Sequence, residues 1–172
     1  MSEETEATAE GVDFALVAYR EDGAWQVVEL DARTAADLDE LTLQLRRYPG
    51  DSGSLGMVSV DEDFFLLVRV LGPETRLLLS DVTAATEWPL ARSVVDHLEL
   101  PLPDDEDDQE PAGDLAIVAD LGLGAMDMSA LLDELDLYPD ELLGDIAAAL
   151  GFDQQYDELV GVDAAPVGPA VR

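Results

Sequence analysis

The chain is 172 residues long and carries 40 acidic against 8 basic side chains, a net charge of −32, with every base an arginine and no lysine or cysteine. That balance repels phosphate backbones and anionic membranes, so neither direct nucleic-acid binding nor membrane binding is expected. The missing thiols and amines exclude disulfides, thiolate nucleophiles, Cys-ligated metal and a P-loop, and the length suits a compact domain with a small appendage.

Residues 1–11 are mostly Ser, Thr, Glu and Ala, without a basic n-region or an apolar h-region. They read as a disordered acidic tail and not as a signal peptide. No apolar run approaches the roughly 20 residues of a membrane span, and a cytoplasmic protein is the expectation. Val12 to Arg20 and Ala24 to Asp31 are β-branched and aromatic runs around Glu21-Asp22-Gly23, the pattern of a hairpin. Thr34 is placed to cap a helix, with Asp37 three residues on as a weak capping-box acid. Leu38, Leu41 and Leu45 form its apolar stripe, and Arg46 and Arg47 suit its C-terminal dipole before Pro49 and Gly50 stop it.

Three short-linked strands follow: Leu55 to Val60, Phe64 to Leu71, and Arg76 to Ser80, joined by Asp61-Glu62-Asp63 and by a turn over Gly72-Pro73-Glu74-Thr75. Short links between strands predict an antiparallel meander. Phe64 to Leu71 is apolar on both faces, with Arg69 the one interruption, so it belongs at the centre of a sheet covered on both sides. Ser80 and Asp81 are placed to cap a helical turn, and Pro89 starts a second helix carrying Leu90, Val94, Val95 and Leu98. Residues 12–100 therefore read as an α+β domain with a five-stranded, mainly antiparallel sheet in the order β-β-α-β-β-β-α.

Residues 101–113 hold the run Asp104 to Glu110 between prolines and read as an extended acidic linker. Residues 114–162 contain no basic residue, and Leu142, Leu143, Ile146 and Leu150 fall at helical spacing. Gly or Asp stands between apolar residues at 121–123, 135–137, 150–152 and 160–162, the signature of Schellman helix ends. Four short helices are expected, one begun by Pro139, followed by a disordered tail over 163–172.

Little in this inventory can carry out a reaction. His97 is the one imidazole, and His97-Leu98-Glu99 matches half of a zinc-deaminase signature whose other half needs cysteines. Ser80 or Ser93 with His97 has no nucleophile-elbow context. Gly50, Gly53 and Gly56 do not form a dinucleotide fingerprint. The carboxylate runs lack the Gly and terminal Glu spacing of a calcium loop. No catalytic, cofactor-binding or metal-binding residue is therefore assigned, and no cofactor is expected.

The wording becomes specific over 56–98: Val58-Ser59-Val60-Asp61-Glu62-Asp63-Phe64-Phe65, then Leu78-Leu79-Ser80-Asp81-Val82-Thr83-Ala84-Ala85, then Trp88-Pro89-Leu90-Ala91. With Phe14 to Tyr19, the acidic linker and Leu137-Tyr138-Pro139-Asp140-Glu141, this resembles the actinobacterial tRNA adenosine deaminase-associated protein family from about Val12 to about Leu159. The resemblance implies a companion of the tRNA-editing deaminase with no catalytic residues to carry over.

The leading expectation is a non-enzymatic accessory protein whose acidic surface contacts tRNA adenosine deaminase or another basic protein. Candidate contact residues are Asp133, Glu134, Asp136, Asp140, Glu141 and Trp88, although Trp25 and Trp88 each read first as core anchors. Two other classes stand beside it. One is a carboxylate-based enzyme dependent on a divalent cation, and the other is a homo-oligomerising module in which a second copy covers the sheet face opposite the helices of residues 12–100.

Overall fold

The chain opens on a β-hairpin, β1 (Val12–Glu21) and β2 (Ala24–Leu30), closed by the two-residue loop Asp22-Gly23. Both loop residues have positive φ, 56° and 81°, the turn whose twist matches that of the flanking strands. This is a computed structural model that describes residues 12–48, 50–61, 63–102, 110–134 and 137–161. The expectations for both tails, for Pro49 as a helix stop, for Glu62, for the acidic run over 104–109, and for Leu135, Asp136 and Val162 lie outside the described residues.

After β2 the chain makes a 3-10 turn, Ala32–Ala36, and then helix α1 (Leu38–Leu45). The caps differ from expectation. Asp31 accepts the N–H of Arg33 and Asp37 accepts the N–H of Asp39, while Thr34 sits inside the first turn. A charged carboxylate with two acceptor oxygens at each break outcompetes the threonine hydroxyl, and the segment splits into two pieces. The apolar stripe is as read: Leu38, Leu41 and Leu45 are buried. Leu45 lies so close to β3 (Ser54–Val60) that a Cβ on Gly56 would stand 2.9 Å from its Cδ1.

β3, β4 (Phe64–Leu71) and β5 (Glu74–Leu79) form the antiparallel meander. Among the described residues the sheet has six strands in the order β2-β1-β3-β4-β5-β6, one more than the sequence implies. The sixth, β6 (Ala112–Gly113), pairs antiparallel with Leu78 and Leu79. Two residues carry no periodicity, and β5's open edge, not local propensity, makes them a strand. Asp81 caps the 3-10 turn Val82–Thr86, Ser80 Oγ accepts the Phe65 N–H, and Pro89 opens α2 (Pro89–His97).

Beyond β6 come a 3-10 turn (Ala119–Leu121), α3 (Ala125–Leu132), α4 (Pro139–Leu150), and α5 (Asp153–Tyr156), which runs into a π-turn over Asp157–Gly161. Two expected Schellman ends are seen. Gly151 is left-handed with φ 102°, and both its N–H and that of Phe152 reach the Ala147 carbonyl; at Gly122 the Leu123 N–H reaches back to Val118.

β4 is buried from Phe64 to Val70 because both of its faces are covered. One face, with Phe64, Leu66 and Val68, packs against α1 and α2. The other, where Phe65 and Leu67 join Phe14 and Leu16 of β1 and Met57 of β3, packs against side chains of the C-terminal helices, among them Met128, Leu143, Ile146 and Phe152. The face that sequence reading left open to a second copy is occupied by the chain's own C-terminal helices. Among the described residues, no helix is long and apolar enough to cross a membrane.

Candidate partner-binding surface

Arg69 anchors the C-terminal helices to the sheet. It projects from β4 into the apolar face, and only 2% of its side chain is exposed. Its Nη1 donates to Asp120 Oδ1 at 2.9 Å and to the Ile117 carbonyl at 3.0 Å; its Nη2 donates to Asp120 Oδ2 at 2.9 Å and to the Ser52 carbonyl at 2.6 Å. A guanidinium in this position needs a bidentate carboxylate, since a buried charge without one is strongly unfavourable. The hydrogen bonds from Arg69, with its positive charge, hold the Asp120 carboxyl below the ordinary carboxylate range.

A second attachment joins the hairpin to the same helices. Trp25 Nε1 donates to the Leu150 carbonyl at 3.0 Å, its ring lies 4.8 Å from that of Phe152, and the Arg20 guanidinium stacks 4.9 Å from its centroid. The Tyr156 phenol donates to the Asp140 carbonyl at 2.7 Å. Burial, then the charges of Asp140 and Asp157, push that phenol far above its ordinary value, so it remains a donor.

With their apolar sides turned to the sheet, these helices present carboxylates outward. Asp127, Asp133, Glu134, Glu141, Asp145, Asp153, Asp157 and Glu158 are all exposed. Among the described residues, the ion pairs are Arg33–Asp31, Arg69–Asp120, Arg76–Glu74 and Arg76–Asp114, so none reaches these eight acids. The amino-acid sequence explains why: residues 114–162 contain no cation. Several acids sit in first helical turns, where they suit the dipole, including Asp127 in α3, Asp140 and Glu141 in α4, and Asp153 in α5.

The candidate contact residues divide. Asp133 ends α3 and Glu134 follows it, both exposed. Asp140 is half-buried, with its carbonyl engaged by Tyr156, and Glu141 is exposed while its Oε1 accepts the Tyr138 N–H at 2.8 Å. Asp136 lies outside the described residues. Trp88 is on the other side of the sheet, packed with the α1 and α2 core, its ring 6.2 Å from that of Phe64 and its Nε1 donating to Asp63 at 2.9 Å. The structure therefore brings Asp133, Glu134, Asp140 and Glu141 onto one set of helices and leaves Trp88 apart from them. Sequence reading missed Asp120 as the partner of Arg69. It also missed two exposed apolar side chains on the acidic helices, Met126 at 86% and Tyr138 at 54% exposure.

His97 ends α2, exposed, at the rim of an open cavity of about 400 Å³ that it shares with Arg76, Leu77 and Leu100. Among the described residues, no three His, Cys, Asp or Glu side chains converge as a metal site would require.

Comparison with known proteins agrees over most of the chain. A family model described as Rv3753c-like tRNA adenosine deaminase-associated protein matches residues 13–153. Protein Rv3753c of Mycobacterium tuberculosis is 36% identical over 150 residues, which cover 86% of this chain and 87% of that protein. No solved structure matches.

Proposed function

The chain belongs to the Rv3753c-like tRNA adenosine deaminase-associated protein family, and from that membership we propose that it is a non-catalytic, cytoplasmic accessory protein of tRNA adenosine deaminase. It acts by protein contact through its acidic C-terminal helices. One observation carries the reading: eight exposed acids with no ion-pair partner among the described residues, on a stretch of chain that has no cation of its own. An enzyme that binds tRNA offers a basic surface to the phosphate backbone, and an acidic protein surface is complementary to that same ground. Docking there either competes with RNA or holds the enzyme until RNA arrives.

The chemistry supports the non-catalytic part of the reading. The one imidazole has no thiol or second imidazole to join it, and no acidic triad is assembled among the described residues. Mixing the purified chain with purified tRNA adenosine deaminase tests the proposal. A complex is expected at low ionic strength and is expected to weaken as salt rises. The variant D133N/E134Q/D145N, which neutralises three exposed acids and leaves the helix-capping Glu141 intact, is expected to bind about tenfold more weakly. Failure of the wild-type chain to form a complex at low ionic strength overturns the reading.

A further inference from the structure

The two edges of the sheet are finished differently. At one, β6 lies along the end of β5. At the other, among the described residues, β2 pairs with β1 alone, over seven residues, Ala24 to Leu30. In a hairpin closed by a two-residue loop, alternate residues turn their peptide groups toward the partner strand. Glu21 and Ala24 close the ladder, so the N–H and C=O groups of Trp25, Val27 and Glu29 point away from β1. The hydrogen bond that Gln155 Nε2 donates to the Trp25 carbonyl, at 3.3 Å, shows that direction. Among the described residues, the outward N–H and C=O groups of Val27 and Glu29 have no hydrogen-bond partner.

Sheet edges are ordinarily protected from added strands by Lys, Pro, a bulge or a covering segment. β2 has no Pro, no Lys and no Gly, its ladder with β1 is unbroken, and its one charge is Glu29. We propose that the β2 edge is a docking site for an extended segment of a basic partner protein, which adds as a seventh strand along Val27 to Glu29.

Charge selects that occupant. A second copy of this chain would bring another −32 to a surface already rich in acid. The side chains of Trp25, Val27 and Glu29 share one face of the strand, the face on which Trp25 and Val27 pack against the C-terminal helices. α5 abuts β2 there, and Asp153 in α5, with Asp157 and Glu158 that follow it in the chain, is exposed. An incoming strand with Arg or Lys at alternate positions would set one cation opposite Glu29 and others toward these acids, while its backbone takes the free peptide groups. This inference rests on the contact reading above and specifies how part of that contact is made.

Amide hydrogen exchange of the full chain, alone and with purified tRNA adenosine deaminase, tests it alongside two variants. Glu29→Gln removes only the charge. Glu29→Pro also removes an N–H that the ladder with β1 does not use, so the sheet is retained. The Val27 and Glu29 amides are expected to exchange rapidly in the free chain and slowly in the complex. Glu29→Pro is expected to weaken binding about tenfold beyond Glu29→Gln, the scale of one lost hydrogen bond. If the wild-type chain forms no complex, the contact reading itself fails. If a complex forms while both amides stay unprotected, or while Glu29→Pro, with its circular dichroism unchanged, binds as Glu29→Gln does, the edge assignment alone is overturned. Protection of both amides in the free chain, with a monomer by light scattering, means that the chain's own outlying residues fill the edge. Protection with a dimer means that a second copy fills it. Either result also overturns the proposed occupant. If Glu29→Pro does not fold, the exchange pattern of the wild-type protein decides the question.

Discussion

Arg69 and Asp120 form an unequal pair, one enclosed and the other about half-exposed, with side-chain exposures of 2% and 54%. Removing the acid strands a buried guanidinium, so Asp120→Ala is expected to destabilise the fold by about 2–3 kcal/mol, less than for a fully enclosed pair because water reaches Asp120. The double variant R69M/D120A takes the stranded charge away and is expected to be more stable than D120A alone, as urea unfolding will measure. The pair also has a pH signature. Asp120 is more acidic folded than unfolded, so its contribution is complete above the ordinary carboxylate value of about 3.9 and is lost as pH falls through the lower folded value. The stability difference between the wild type and D120N is expected to shrink over that acidic interval. From the sequence, Arg69 was visible as the one polar break in an apolar strand face. Its partner was not, because fifty-one residues separate them and nothing local links an arginine in β4 to an acid before α3.

At the scale of elements, the sequence was most readable where a pattern repeats or a backbone demand is local. The hairpin, the meander and the stripes of α1, α2 and α4 are legible because alternation, turn residues and helical spacing are properties of neighbouring residues. β6 is the contrary case. Ala112–Gly113 becomes a strand only because Leu78 and Leu79 offer an edge, and Gly113 is held at φ 119° with its position for a Cβ 2.2 Å from the Leu77 carbonyl oxygen. Gly113→Ala is expected to cost about 2 kcal/mol through that strained backbone and the close approach. It should also release the Asp114 N–H, which now donates to Leu77 O at 2.9 Å, so exchange at Asp114 should quicken markedly while that in β3 stays slow.

For the whole molecule, the charge of −32 bears on stability as well as on the proposed recognition. Self-repulsion among acids that lack cationic partners opposes the compact state, and salt screens it. The melting temperature is therefore expected to rise by several degrees between about 0.02 M and about 0.5 M NaCl. The proposed complex with the deaminase is expected to weaken over the same range, because attraction between unlike surfaces is screened by the same ions. A scanning experiment on the chain alone and a titration of the complex give opposite signs if one acidic surface underlies both effects. A melting temperature that does not change with salt would mean that the acids are too dispersed to act together.

The sequence by itself determined the charge, the absence of thiols and amines, the α+β class, the strands and helices that repeat an apolar pattern, and the family to which the chain belongs. These are carried by composition, by neighbouring residues or by motifs in order, and none needs contacts between distant parts of the chain. Only the tertiary structure decided that helices α3 to α5 cover the second face of the sheet, that Arg69 and Asp120 join the two parts, that Trp88 lies away from the acidic helices, and that, among the described residues, β2 pairs along one edge alone. Those facts depend on which surfaces meet, and the choice is made by burial of apolar faces from segments far apart in the chain, a term that no local window of residues contains.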